Sequence, residues 1–261
     1  MSNPVAIAVT SLDAHVATYG ACGVWAMFSG GDDSLTASLI AAQSSAFRGC
    51  VHIDTGIGIP ETQDFVRETC RQQGWLLRVY RASDQQQRYE DLAVQYGFPG
   101  PAQHFRMYSR LKERALRQFI REHKTLRRDR LVLATGARST ESVRRMGSVQ
   151  PVRRDGAKVW ANPIHNWTKI ACLDYIASRG VPRNPVVELL HMSGECLCGC
   201  YAKPNELAEI ALWYPTVGAH IRAIEQRVSA AGKPCVWGKR PPGQRASRRR
   251  VSELCVGCEA E

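Results

Sequence analysis

Four short runs rich in β-branched and aromatic residues, at 23–28, 49–54, 75–80 and 130–135, are separated by stretches whose apolar residues recur every three or four positions, at 34–45, 61–73 and 107–123. Strands alternating with helices in this way predict an α/β fold, a parallel sheet with helices on both faces, because parallel neighbours need a long crossover between them. Ligands of such sheets sit at the carboxyl ends of the strands. The chain has 261 residues, 44% of them hydrophobic, enough for one large domain or one domain with a small appendage. Low-complexity disorder is excluded as a description of the whole chain.

The composition shifts near residue 150. Beyond it come the aromatic stretch 160–163, a helical pattern over 168–178, the turn-rich GVPRNP, a cysteine cluster, a predicted helical pair over 204–230, and the basic tail KRPPGQRASRRR. The first residues lack a basic start and carry only a five-residue apolar stretch, unlike a signal peptide. No apolar run approaches the ~20 residues that span a bilayer. The expectation is a cytoplasmic protein with no membrane partner.

Charge is unevenly spread. The net +11 is built from two segments: 106–130 with ten basic and three acidic residues, and 226–252 with eight basic and none acidic. Lys/Arg contacts to phosphates supply sequence-independent nucleic-acid affinity, so a nucleic-acid partner is expected; a solvated helix face is the plainer reading of the first segment. Trp213, Tyr214 and Trp237 lie near the second segment as candidate base-stacking groups, with core packing as the other use of each.

The string FSGGDDS, residues 28–34, stands between a strand pattern and a helix pattern. Gly30 and Gly31 let backbone amides approach an anion, Ser29 and Ser34 add hydroxyl donors, and Asp33 and Ser34 fall where a helix begins, with its unpaired amides and positive dipole end. This suits a pyrophosphate. On spacing alone the string equally suits an ordinary turn with an Asp cap.

The string resembles the SGGxDS loop of the adenine nucleotide α-hydrolase (ATP pyrophosphatase, PP-loop) superfamily, in its phosphoadenosine phosphosulfate (PAPS) reductase-like branch. Three further blocks follow in the family's order: HIDTGIGIPETQDF at 52–65, GARSTESVRR at 136–145, and the stretch 162–196 ending in SGEC. The resemblance implies a HUP-type parallel sheet, with a nucleotide-binding domain at 1–190 and a cysteine-rich, basic region at 191–261. It implies that Ser29, Gly30, Gly31, Asp33 and Ser34 hold the phosphates of ATP or another adenine nucleotide, with Phe28 and Asp32 also among the nucleotide-binding residues. Asp54 and Thr55 would contact adenosine, and Gly136 and Arg138 would close over the nucleotide. Glu141 would fix Arg138 or Arg145 by an ion pair, with a plain helix-surface pair as the other reading. Ser29, Asp33, Ser34 and Arg138 are the expected catalytic groups. Asp32 occupies the motif's variable position, where an acid is adverse beside polyphosphate unless it ligates Mg²⁺.

Ten cysteines without secretory context point away from a disulfide framework. Cys22, Cys50, Cys70 and Cys172 are scattered among apolar residues and read as buried small hydrophobes. Cys196, Cys198, Cys200, Cys235, Cys255 and Cys258 cluster in GECLCGC, KPCVWG and CVGC. Two such pairs suit Zn²⁺ or an iron–sulfur cluster. The resemblance favours a [4Fe–4S] cluster on Cys196, Cys198, Cys255 and Cys258, with Cys200 as a substitute for Cys198 and Cys235 as a spare. Sulfate-reducing relatives place a catalytic cysteine near an ECGLH string; here CVGCEAE stands in that place, and both its cysteines are wanted as ligands.

The resemblance therefore implies ATP-dependent adenylation and sulfur transfer, with nucleic acid as acceptor and a sulfur-donor protein such as a cysteine desulfurase. The alternatives are a sulfonucleotide reductase releasing sulfite, and a nucleotide-sensing nucleic-acid-binding module without turnover.

Overall fold

The computed structural model describes residues 3–140, 149–233, 236–239 and 254. The chain runs α1 (Pro4–Tyr19), β1 (Ala21–Met27), α2 (Asp32–Ala41), β2 (Phe47–Asp54), α3 (Pro60–Gln72) and β3 (Leu77–Arg81). After α4 (Tyr89–Tyr96), a continuous helical run is made of α5 (His104–Tyr108), a π-helical turn (Ser109–Glu113) and α6 (Arg114–Glu122). Then follow β4 (Arg130–Ala134), β5 (Val152–Asp155), β6 (Lys158–Ala161), α7 (Lys169–Ser178), α8 (Pro185–Leu190), α9 (Glu206–Trp213) and α10 (Pro215–Ala230).

The strands form one sheet in the order β3-β2-β1-β4-β6-β5, all parallel except the β5–β6 pair. Alternation of side chains along each strand sorts the core into two layers. Val24, Ala26, Cys50, Val132, Ala134, Val159 and Ala161 face one way and are covered by α1, α2, α3 and α7. Trp25, Met27, Val51, Ile53, Leu131, Leu133 and Trp160 face the other way and are covered by Leu116, Phe119 and Ile120 of α6. Helices thus lie on both faces, as the alternation of patterns predicts. A third core joins residues 57–59, α4, Met107 and Leu111 to α8, the 197–200 turn, α10 and Trp237.

The chain leaves β1 toward β2 and β3 on one side and returns through β4 on the other. The carboxyl ends of β1 and β4 therefore flank the crevice where a doubly wound sheet takes its ligand.

Three features differ from the sequence reading. The β5–β6 hairpin has four-residue strands, and β5 reads VRRD, an edge strand with no apolar alternation to reveal it. Helix α1 buries only Ala8 and Leu12, so its periodicity is faint. Cys50, Cys70 and Cys172 are buried as predicted, but Cys22 is exposed, because it stands at the start of β1 before the strand becomes buried at Gly23. Among the described residues no helix is long and apolar enough to cross a membrane.

Candidate functional site

The 28–34 loop leaves β1 and enters α2 directly. His52 of β2 bonds the Phe28 carbonyl through Nδ1 at 2.9 Å, fixing the point where the chain leaves the sheet. Gly30 takes φ +84°, in the left-handed region, and a Cβ there would meet Thr62 Cγ2 at 2.7 Å. The Gly30 carbonyl accepts from Asn184 Nδ2 at 2.9 Å, and the same nitrogen reaches Thr62 Oγ1 at 3.1 Å. Across the loop, the Ser29 backbone N–H and Oγ both donate to Ser34 Oγ, at 3.3 and 3.0 Å, and Ser34 Oγ donates to the Gly31 carbonyl at 2.8 Å. The N-cap residue Gly31 offers no side chain to the first turn of α2, so that end of the helix presents its amides and positive dipole end without a side-chain cap.

Gly136, just beyond β4, seals the other wall. A Cβ there would meet the Asp33 carbonyl carbon at 2.5 Å and the Ser34 nitrogen at 2.6 Å. Ser29, Gly30, Gly31, Asp33, Ser34, Gly136 and Arg138 are thus brought together. Asp54 and Thr55 lie at the end of β2, with their side chains used locally: Asp54 Oδ1 accepts from the Gly56 N–H at 2.9 Å, and Thr55 Oγ1 donates to the Glu195 carbonyl at 3.1 Å.

The two acids of the loop carry its electrostatics. Asp33 Oδ2 accepts from Arg138 Nε at 3.0 Å and Oδ1 from Lys169 Nζ at 3.0 Å. Asp32 accepts from Arg183 Nε and Nη2 at 3.0 and 2.9 Å, and from Lys169 Nζ at 3.1 Å. Burial opposes ionisation of Asp32, but Arg183 and Lys169 outweigh it and hold the carboxyl below its ordinary value. Lys169 is itself raised: burial disfavours its charge, and the attraction of Asp33 and Asp32 more than compensates. Arg183 extends outward to Glu188 at 3.6 Å. Both carboxylates are engaged by side-chain cations, so this donor set does not fit a protein-anchored Mg²⁺. It fits an anion at the mouth of α2, with Lys169, 45% exposed, nearest to solvent. Arg138 takes Asp33 as its partner; the expected Glu141 pairing lies outside the described residues. Burial, aided by Asp33, pushes the nearby Cys172 thiol up to about 11, so it is protonated at neutral pH and inert as a nucleophile.

Beside the loop begins the cysteine segment. Thr62 Oγ1 donates to the Ser193 carbonyl at 2.5 Å, the Ile59 N–H to the Gly194 carbonyl at 2.8 Å, and the Leu197 N–H to the Ile57 carbonyl at 2.6 Å. Tyr89 Oη and Trp237 Nε1 hold the carbonyls of Cys198 and Leu197 at 2.8 and 2.9 Å. Cys196 is half-buried, whereas Cys198 and Cys200 are buried. Contact with Cys196 favours the Cys198 thiolate, yet contact with Cys200 and burial prevail and hold this thiol well above its usual range. The three cysteines line a cavity of about 190 Å³ with Ser193, Lys203 and Glu206. Soft thiol donors in mutual contact fit an iron–sulfur or zinc site in chemistry. Among the described residues, no group of three or more His, Cys, Asp or Glu side chains is arranged to hold a metal ion. Cys235, Cys255 and Cys258 lie outside the described residues.

Several residues without a role in the sequence reading shape this site: His52, Thr62, Lys112, Lys169, Arg183, Asn184 and Glu195. Lys169, Arg183 and Asn184 fall inside the quoted 162–196 stretch, but only the fold shows that they converge on the loop. Of the aromatics read as stacking candidates, Tyr214 and Trp237 are core residues, while Trp213 is 49% exposed. The basic helical segment is partly consumed internally. Lys112 is buried against Glu195, Arg110 bonds Gln87 and Tyr96, and Arg130 bonds the Tyr19 carbonyl. Arg106, Arg114, Arg117 and Arg121 are exposed.

A mostly parallel sheet, with a glycine-turned loop at its switch point and a helix N-terminus lined by cations, defines an α/β domain whose candidate site lies at the carboxyl ends of β1 and β4. The chain belongs to the phosphoadenosine phosphosulfate reductase domain family, whose model matches residues 23–220. Among solved structures it is similar to the PAPS reductase from Candida auris in its phosphate complex, at 17% identity and TM-score 0.48, covering 64% of this chain and 77% of that one. It is also similar to the U34-tRNA thiolase NcsA from Methanococcus maripaludis with its [4Fe–4S] cluster, at 13% identity and TM-score 0.49, covering 92% of this chain and 82% of that one. No curated protein matches the chain at a significant level.

Proposed function

We propose that this protein binds ATP on the 28–34 loop and spends its α,β-phosphate bond on activating an acceptor for sulfur transfer. The observation that carries this reading is the pairing at the loop. Both acids of SGGDDS are neutralised by Arg138, Lys169 and Arg183, which leaves the α2 N-terminus and Lys169 to face a polyphosphate.

In the first step an acceptor oxygen attacks the α-phosphorus. The bond from that phosphorus to the pyrophosphate oxygen breaks, and its electron pair leaves with pyrophosphate. In this reading the α2 amides, Ser29, Ser34 and Lys169 would hold the β- and γ-phosphate charge. A sulfur nucleophile, a persulfide delivered by a donor such as a cysteine desulfurase, then attacks the activated carbon; AMP departs with the carbon–oxygen electron pair, and an external dithiol reductant cleaves the remaining S–S bond, is itself oxidised to a disulfide, and leaves the donor cysteine as a thiol and the acceptor as the thiolated product. Cys196, Cys198, Cys255 and Cys258 would hold an iron–sulfur cluster, which would supply sulfur or electron delivery. The exposed Arg106, Arg114, Arg117 and Arg121 support a nucleic-acid acceptor.

Ser29→Ala and Asp33→Ala test the site: pyrophosphate release should be lost while metal content is kept. Wild-type ATP turnover in both variants would reject it. The family match over 23–220 favours a second reading, reduction of a sulfonucleotide. That reading requires sulfite release from PAPS with a thiol reductant and without ATP, an assay run on the same preparation.

A further inference from the structure

Gly30 and Gly31 form the one Gly–Gly pair of the chain. A peptide between two glycines has no Cβ on either side to resist rotation of its plane, so its orientation needs an outside hold. Asn184 supplies that hold. It is 1% exposed and caps α8, where its Oδ1 accepts from the Val186 N–H at 3.0 Å. Its Nδ2 donates to the Gly30 carbonyl at 2.9 Å and to Thr62 Oγ1 at 3.1 Å. Thr62, itself buried, donates onward to the Ser193 carbonyl, so the hold is anchored in the packed interior and not in solvent. Arg183, one position earlier, grips Asp32 just beyond the pair of glycines.

The Gly30 carbonyl is thereby turned toward α3 and α8. In a planar trans peptide the N–H points opposite to the C=O, so the Gly31 N–H is directed away from those helices. Gly31 is also the N-cap of α2, and no side chain caps the amides that follow it. We infer that Asn184 is a positioning residue: by holding the Gly30 carbonyl, it keeps the Gly31 N–H turned toward a bound phosphate, next to the first amides of α2. With the peptide flipped, a carbonyl oxygen would face the anion and repel it. This role presupposes the proposed polyphosphate site. Asn184 touches no phosphate in it; it acts through one backbone peptide.

The single Gly–Gly pair provides the readout. Full-length protein is made by cell-free synthesis with glycine isotopically labelled at its carbonyl carbon and its nitrogen. An NMR spectrum correlating each amide with the preceding carbonyl then shows one labelled pair, the Gly31 N–H, because no other glycine follows a glycine. Inorganic pyrophosphate is titrated into wild type, Asn184→Ser and Asn184→Thr, with affinity read by calorimetry. Both variants keep a hydroxyl oxygen to cap α8 and add no charge, but neither reaches the Gly30 carbonyl. In the wild type the Gly31 signal should move as pyrophosphate saturates the protein. In both variants it should stand elsewhere before any ligand is added, and affinity should fall by about tenfold to 100-fold. Weaker binding with the ligand-free Gly31 signal unmoved would reduce Asn184 to a packing and capping residue and overturn the inference. Wild-type affinity in both variants would overturn it too. So would a wild-type Gly31 signal that ignores saturating pyrophosphate, a result that needs no variant to fold. A wild type that binds neither pyrophosphate nor ATP overturns the polyphosphate reading itself, and this role with it.

Discussion

Arg183 grips Asp32 through two parallel hydrogen bonds, Nε to Oδ1 at 3.0 Å and Nη2 to Oδ2 at 2.9 Å. This pairing, with Lys169 on the same carboxylate, explains how an acid is tolerated at the buried start of α2 beside Asp33. The negative charge that would repel a polyphosphate is turned into the anchor that ties the 180–185 turn and α7 to the first turn of α2. The acid also sits at the helix end where the dipole favours it.

Asp32→Asn should therefore destabilise the protein at neutral pH, by about 1–3 kcal/mol once the partial exposure of Arg183 is allowed for. The carboxyl is held below its ordinary value of 3.8, so its stabilisation is present above that value and fades as pH falls through the lower folded value. Urea denaturation of both proteins at pH 7 and below about pH 3 checks the sign. The gap should narrow in acid; an equal gap at both pH values would remove the ion pair as its cause.

Gly136→Ala should be poorly tolerated for a different reason. Its Cβ would lie 2.5 Å from the backbone carbon of Asp33, and backbone cannot swing aside as a side chain can. Overpacking of this kind costs about 1–3 kcal/mol, and here it pushes on the loop itself. The expected result is a lower denaturation midpoint with weaker ATP binding by calorimetry. Gly156→Ala is the control for a glycine with open space, since nothing lies within 4 Å of its added Cβ, though its φ of +60° carries strain.

The sheet was legible because β1, β2 and β4 are short runs rich in apolar and β-branched residues, the form expected of strands buried on both faces, with His52 the polar exception in β2. The turn from β1 into α2 was legible because glycines, one of which takes a left-handed φ, stand between a strand pattern and a helix pattern. Lys169, Arg183 and Lys112 were not, because nothing local distinguishes a lysine that reaches across 83 residues to a buried carboxylate from one that is solvated. The segment around 106–130 shows the same limit: its charge count is a property of sequence, but how many of those charges meet solvent is decided by packing. Asp32 was read as a metal candidate because its partners lie in α7 and the turn before α8, more than 130 residues away.

Leu254→Ala should tighten nucleotide binding. The cleft between Phe28, Ile53, Thr135, Gly136 and Glu195 retains only about 20 Å³ beside the Leu254 side chain, far less than a purine ring occupies. Under the proposed reading the nucleotide must displace this leucine and give up its buried contacts. Removing about 1.4 kcal/mol of that cost lowers the dissociation constant about tenfold. Isothermal titration with ATP measures it, and unchanged or weaker binding would show that Leu254 does not compete with the nucleotide.

The exposed arginines of the helical run give the last prediction. Of the ten basic residues in 106–130, Arg106, Arg114, Arg117, Arg121, Arg127 and Arg128 are exposed; Arg117 pairs with Glu113, and Arg106, Arg114 and Arg121, all on the helical run, form no ion pair among the described residues. Arg106 lies over the Tyr96 ring at 5.1 Å, leaving its guanidinium edge open to a phosphate. If these groups bind a nucleic-acid backbone, each phosphate contact releases about 0.7 counterion on a single strand. The triple Arg→Gln variant should then lower the slope of log affinity against log salt by about 2 while leaving ATP binding intact. Fluorescence anisotropy with a labelled RNA, from low to moderate salt, measures the slope directly. A slope identical to wild type would place nucleic-acid contact elsewhere on the molecule, or nowhere on it.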